Sequence, residues 1–391
     1  MRTLFSLAAA ALLLTGLPFA AAACPFCSAP SMTLTEQLAK SDAALLASLK
    51  SSKQAVDDRP AESQLVIVDI LRDTTKTHEK GKSLSLPRYI ELAADEQVLL
   101  LGTKLDVLEW SDPLPLGKET LDYVKSAPLL DAPPTERLAY FLGFLEHPSL
   151  TIANDAYSEF ANAPYKDIVP LAPKMPREKL RQWVMNPETS PTRLGLYGLM
   201  LGLCGDETDA KLMEAKVIDT GENDYRLGID GVIAGYLLIT SDKGLDIVDS
   251  TKLKADAETK IPFSETYAAL QALRFMWQYG DGKISHDRLK ASMRILLDRP
   301  ELADIVIADL ARWKDWSIQE RLRKLYGQDA YNVPSIKRAI IRYMFAGLKD
   351  VPKDAPKDAP IPTHVQAATK YLEELRAQDP KLVKDVERFL Y

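Results

Sequence analysis

From residue 135 to residue 347, apolar side chains recur three and four apart in segments of roughly 10 to 18 residues, punctuated by turns rich in proline, glycine and aspartate. This texture predicts helices near 135–146, 149–162, 176–185, 190–204, 206–217, 225–240, 262–279, 285–297, 300–311, 316–326 and 334–347. Helices of that length cannot bury an apolar face alone, so antiparallel pairs must stack on neighbouring pairs. Three turns share a grammar of apolar helix, polar turn with proline, then helix with small residues on its buried face. Leu145-Glu146-His147-Pro148 leads to Ile152 and Ala156, Met185-Asn186-Pro187 to Leu194 and Tyr197, and Leu297-Asp298-Arg299-Pro300 to Ile305 and Ala308.

The front of the chain reads differently. Thr33 and Glu36 fit a capping box, and the apolar run 43–49 follows, so residues 28–50 predict a short helix entering a strand. Residues 64–71 are rich in β-branched side chains, 83–92 alternate through Leu84, Leu86, Ile90 and Leu92, and 97–105 read as a buried strand. Asp112-Pro113-Leu114-Pro115 is expected to interrupt the strand that holds residues 107–110. A barrel or sandwich of about 100 residues fits these lengths.

Before that region lies a basic Arg2, an apolar stretch over 4–17, Pro18 and the small run 20–23 ahead of Cys24. This is the layout of a secretory signal peptide with an A-x-A cleavage pattern. Its apolar core, roughly 14 residues, is short of the ~20 a membrane span requires. A mature chain opening at Cys24 is expected, exported to the periplasm or outside the cell, with no transmembrane span. A cysteine there also admits a lipoprotein, although Ala21 stands where such sites carry a large aliphatic residue. Removing residues 1–23 takes one positive charge from a formal net charge of -6. With no basic block to offset that balance, nucleic acid is not an expected partner.

Cys24-Pro25-Phe26-Cys27 is the most specific short motif. A C-x-x-C pair performs redox chemistry when one thiol is held as thiolate, and the oxidoreductase setting for it is a βαβ unit, which is missing here. Zinc needs four ligands, whereas His78, His147, His286 and His364 are scattered singly. A disulfide is the structural reading. Pairing Cys24 with Cys27 stabilises by at most ~2 kcal/mol through chain entropy and pairing either with Cys204 by ~5 kcal/mol, so geometry decides; the local pair is favoured, with Cys204 buried at the end of an apolar helix.

Glycines 228, 231 and 235 lie on one helix side and lack the strand context of a dinucleotide-binding turn, so close helix packing is expected. Arg274, Trp277, Asp309, Arg312, Trp313 and Trp316 are the candidates for a binding surface, against the plainer reading of tryptophans as wedges between helices. No nucleophile elbow, acid pair or other complete catalytic constellation stands out. No catalytic residue, metal or cofactor is therefore assigned.

The turn grammar of residues 135–347 resembles HEAT-like α-solenoid repeats. The N-terminal region is similar to netrin-like and TIMP-like OB-barrel domains in Cys24 and Cys27, in Ser41-Asp42-Ala43-Ala44-Leu45, and in Val66 to Leu71 followed by Lys80-Gly81-Lys82. In that family the free amine of the first cysteine chelates a protease's zinc, a role that the resemblance assigns to Cys24. The spacing here is C-x-x-C rather than C-x-C, and the later barrel cysteines are missing. The chain also resembles uncharacterised secreted bacterial proteins that open with Cys-Pro-Phe-Cys-Ser-Ala, a likeness that implies no activity.

The expected class is α+β, with a small N-terminal OB-like β-barrel over 24–130 followed by a larger all-α domain of HEAT-like helical hairpins over 135–347. Residues 348–363, with KDVPKDAPKDAP, read as an extended linker, and 364–391 as an amphipathic C-terminal helix divided at Pro380. The expected function is recognition of a protein or envelope polymer by the helical surface. A thiol-disulfide role for Cys24 and Cys27, or metalloproteinase inhibition, is the alternative.

Overall fold

The computed structural model describes residues 24–27, 31–93, 96–220, 225–254, 261–351, 356 and 360–389. The expected signal peptide and most of the Pro-rich linker lie outside the described residues. Helix α1 (Leu34–Lys40) starts at the anticipated capping box, with Thr33 and Glu36 exchanging side-chain to backbone hydrogen bonds. Six strands follow: β1 (Ala43–Lys53), β2 (Glu62–Asp73), β3 (Ser83–Leu86), β4 (Gln97–Lys104), β5 (Leu108–Trp110) and β6 (Leu114–Leu116). They form one antiparallel sheet in the order β3-β2-β1-β4-β5, with β6 also paired to β4.

Three register shifts between β1 and β2 bend the central ribbon. The curled sheet encloses Leu45, Leu65, Leu86, Val98 and Leu100, with Trp110 packed against them. Its other face carries Leu46, Leu99 and Leu116, covered by Leu38 of α1 and Leu121 of α2 (Lys118–Ser126).

The sheet is not closed, which corrects the expectation of an OB-like barrel. The expected strand 83–92 ends at Leu86, where Pro87 brings no N–H to a ladder. Across the gap runs the side chain of Arg88. Its guanidinium donates to Asp112 Oδ1 at 2.6 Å, to the Ser111 carbonyl at 3.3 Å and to the Trp110 carbonyl at 3.4 Å. Side-chain bonds thus take the place of backbone pairing between the outer strands. As expected, the strand that holds residues 108–110 is interrupted at 111–113; the chain then rejoins the sheet as β6, where Pro115 sits opposite Val98 on an edge where its missing N–H costs nothing.

The helical part comprises α3 (Pro134–Leu142), α4 (Leu150–Asn162), α5 (Tyr165–Ile168), α6 (Arg177–Met185), α7 (Pro191–Cys204), α8 (Glu207–Ile218), α9 (Ile229–Thr240) and α10 (Asp242–Val248). It continues through α11 (Phe263–Tyr279), α12 (His286–Ile295), α13 (Ala303–Arg312), α14 (Gln319–Leu325) and α15 (Pro334–Lys349). Periodicity did not foretell α2, α5 or α10, which are short or follow prolines. The helices stack two apart in the chain, α7 on α9, α9 on α11 and α13 on α15. At the first of these crossings a Cβ on Gly231 would lie 2.1 Å from the Gly195 carbonyl oxygen, and one on Gly235 would lie 2.0 Å from that of Gly198. Glycine is what lets the two backbones touch.

Buried ion pairs join neighbouring layers. Lys252 Nζ donates to Glu265 Oε2 at 2.7 Å and to the Asp219 carbonyl at 2.6 Å, and Arg226 shares Glu265. Asp209 is held by Arg177 and Arg181, each at 2.6 Å, and Arg294 grips Asp315 at 2.6 Å. Helix α1 is tied in the same way, because Leu34 N donates to Asp155 Oδ1 at 2.7 Å and Thr35 Oγ1 to Glu159. Burial raises the pKa of both acids. The C-terminal segment docks in cis. Helices α16 (Thr363–Gln378) and α17 (Pro380–Arg388) bury Leu372, Leu375, Val383 and Val386 beside α15. No helix among the described residues is long and apolar enough to cross a membrane.

Candidate binding surface

Cys24 and Cys27 are joined in a disulfide, and Cys204 is free. The loop they close packs on the helical part. Phe26 packs against Phe275 of α11 with ring centres 5.1 Å apart and planes tilted by 52°, and Cys24 N donates to the Ala161 carbonyl at 3.1 Å, near the C-terminus of α4. Cys24 is 5% exposed. Its nitrogen faces the protein, so the arrangement does not offer it to a partner's metal. Half-buried Cys204 has its thiol pushed up to about 11, chiefly by burial. Such a thiol is a poor nucleophile at neutral pH.

The four histidines also sit apart. His78 bonds Asp73 at 3.0 Å, His147 lies 3.8 Å from Glu119, His286 stacks on Trp277 and His364 on Trp316. Among the described residues no three His, Cys, Asp or Glu side chains gather as a metal site.

Five of the six residues singled out in the sequence meet on one face. Arg274 and Trp277 come from α11, one turn apart, while Asp309 and Arg312 of α13 stand three apart with Trp313 just beyond. Asp309, 1% exposed, accepts from Arg274 Nε at 2.7 Å and from Arg312. The Trp277 and Trp313 rings stack with centres 4.2 Å apart, His286 lies on the other side of Trp277 at 3.9 Å, and Lys290 stands over it at 5.9 Å. Trp313 is buried, whereas Trp277, Arg274 and Lys290 are half-buried and Arg312 and His286 exposed. Trp316 is elsewhere. Its indole Nε1 donates to Asp350 Oδ2 at 2.7 Å and its ring stacks on His364, anchoring the start of α16.

Beside this cluster a groove of about 580 Å³ runs between α13 and α15. Ala308 and Ala311 line one side; Ala339, Ala346, Arg338 and Arg342 line the other. Ala308 is therefore solvent-facing, a correction to its expected place on a buried face: the groove leaves its side of α13 uncovered. Arg338 and Arg342, four apart and both exposed, have no hydrogen-bond or ion-pair partner among the described residues. Asp304, at the start of α13, is the one carboxylate of the lining among the described residues, and it accepts from Ile305 N at 2.8 Å.

These arginines were missed in the sequence, though a signal existed. Residues 334–349 contain Lys337, Arg338, Arg342 and Lys349 and no acid, in a chain that is acidic overall. Lys337 is consumed by Asp379 at 2.6 Å, which leaves the two arginines on the groove. Compared with models of known protein families, with curated proteins and with solved structures, the chain gives no match.

Proposed function

We propose that this chain is a non-catalytic binding protein whose helical part, of HEAT-like hairpin architecture, presents the α11–α13–α15 face to a protein partner. The observation that carries this reading is the alanine-lined groove beside the tryptophan cluster, with two arginines that have no partner among the described residues. Small side chains admit a second helix closely, and unpaired arginines favour carboxylates with bidentate geometry. The partner segment is accordingly an acidic amphipathic helix. Half-buried Trp277 and exposed Arg312 belong to the residue types that concentrate binding energy at interfaces. Export to an oxidising compartment fits both the leader-like residues 1–23 and the Cys24–Cys27 disulfide.

The test is site-specific photo-crosslinking in cells of the source organism, with a benzophenone amino acid at Ala308 and, as control, at exposed Lys211 of α8. One discrete partner captured from 308 but not from 211, and lost in R338E/R342E, is the expected result. Equal capture at both positions, or capture indifferent to charge reversal, overturns the reading.

A further inference from the structure

A second concavity is bounded by α1, β2, the end of α2 and the segment 127–131, with a volume of about 610 Å³. That is well within the roughly 300–1,000 Å³ of small-molecule sites. Its walls are aliphatic: Leu38 from α1, Leu71 from β2, Val124 from α2, then Pro128, Leu129 and Leu130. Among the described residues no aromatic side chain lines it. Leu129 is 75% exposed and Leu130 is exposed as well, an unusual expense of apolar surface for two adjacent residues unless something covers them.

The rim carries Arg72, Lys125 and Asp131. Lys125 is held by Asp69 at 2.9 Å, which also takes Lys80 at 2.6 Å, so the Lys125 ammonium is tethered away from the cleft. Arg72 is different. Its Nε donates to the Ser41 carbonyl at 2.8 Å, which fixes the guanidinium at the mouth and leaves both terminal nitrogens without a partner among the described residues. Asp131, exposed on the same rim, opposes a second anion and makes one negative head group the most that the mouth accommodates.

We infer that this cleft binds a single-chain aliphatic carboxylate, the alkyl chain lying along Leu38, Leu71, Val124 and Leu129 and the carboxylate meeting the free edge of Arg72. Flexible alkyl chains suit walls without flat aromatic faces, and a planar carboxylate matches two parallel guanidinium N–H donors. The inference is independent of the α13/α15 face.

Titrating the full chain with fluorescent cis-parinarate tests it. Saturable one-to-one binding displaced by laurate is expected. L129S/L130S, which alters only exposed side chains, should weaken parinarate binding at least about fivefold. R72Q should weaken parinarate itself and, once corrected for the probe's own Kd in that variant, raise the inhibition constant of laurate at least about tenfold while leaving that of dodecanol unchanged, a comparison that is internal to one folded variant. No saturable binding, equal binding by L129S/L130S, or equal loss of laurate and dodecanol in R72Q overturns the assignment.

Discussion

The Trp277 and Trp313 rings lie 6° from parallel with 4.2 Å between their centres, bridging α11 and α13 on the face where Asp309 holds Arg274 and Arg312. The aromatic stack and the ion triad act on the same pair of helices. One is apolar contact and the other a buried carboxylate between two cations, and they are separable by mutation.

Asp309 is buried while Arg312 is mostly exposed, so the two ends of that pair should not cost the same. Asp309→Asn removes the charge that two arginines share and should lower unfolding stability by about 2 kcal/mol. Arg312→Gln, exposed to water and salt, should cost under about 1 kcal/mol. Urea denaturation distinguishes them, and equal losses would count against the triad as a tie between helices.

The α7–α9 crossing gives a sharper contrast. Gly235→Ala sets a methyl group where the Gly198 carbonyl oxygen already is, forcing the helices apart, and should destabilise by roughly 3 kcal/mol or more. Gly143→Ala, whose Cβ would meet only the Tyr140 carbonyl oxygen at 3.6 Å, should be neutral or stabilise by up to about 1 kcal/mol. Thermal melts of the two variants suffice; similar melting points would mean the helices are not held at glycine distance.

Asp230, in the first turn of α9, has its pKa raised to about 6 from 3.8, mainly by burial, against the opposing hydrogen bond from Gly231 N. Below the unfolded value the acid is protonated in both states and carries no penalty. As pH rises from about 4 to 6 the unfolded chain ionises first, so the native state loses stability, on the order of 2–3 kcal/mol in full. Asp230→Asn should therefore match the wild type near pH 3.5 and exceed it at pH 7. A stability difference that is flat across this range rules the burial argument out.

The Cys24–Cys27 loop is small, so replacing both cysteines with alanine should cost only about 2 kcal/mol or less while leaving the fold. Because Cys24 is buried and its nitrogen is bound to Ala161, the oxidised chain should not accelerate insulin reduction by dithiothreitol, and adding one residue ahead of Cys24 should not create or remove inhibition of a metalloproteinase. Turnover in the insulin assay would revive the redox alternative.

The helical part was legible because its periodicity is a direct record of burial. Ile152, Ala156 and Tyr197 are fully buried where the turn grammar placed them. The same logic failed at Ala308, since a small side chain is compatible with a packed face and with an open groove alike. Barrel closure was illegible for another reason: strand lengths set the sheet, but whether its edges meet depends on Pro87 and Arg88, one removing a donor and the other supplying side-chain bonds across the gap. Arg274, Trp277, Asp309, Arg312 and Trp313 were recoverable as a cluster through helical spacing on two helices. Trp316, three residues past Trp313, falls beyond the end of α13, where the chain turns and aims it at His364. Arg338 and Arg342 carry no motif at all; what marks them is the want of any acid in their helix.

The central claim is electrostatic docking in the α13/α15 groove, and the most direct test is the affinity of the purified chain for the partner captured at position 308, measured by interferometry for wild type and R338Q/R342Q at low and high salt. The account predicts at least a tenfold weaker Kd for the double variant at low salt, and a wild-type affinity that falls toward that of the variant as salt is raised. Equal affinities for the two proteins at low salt would contradict it.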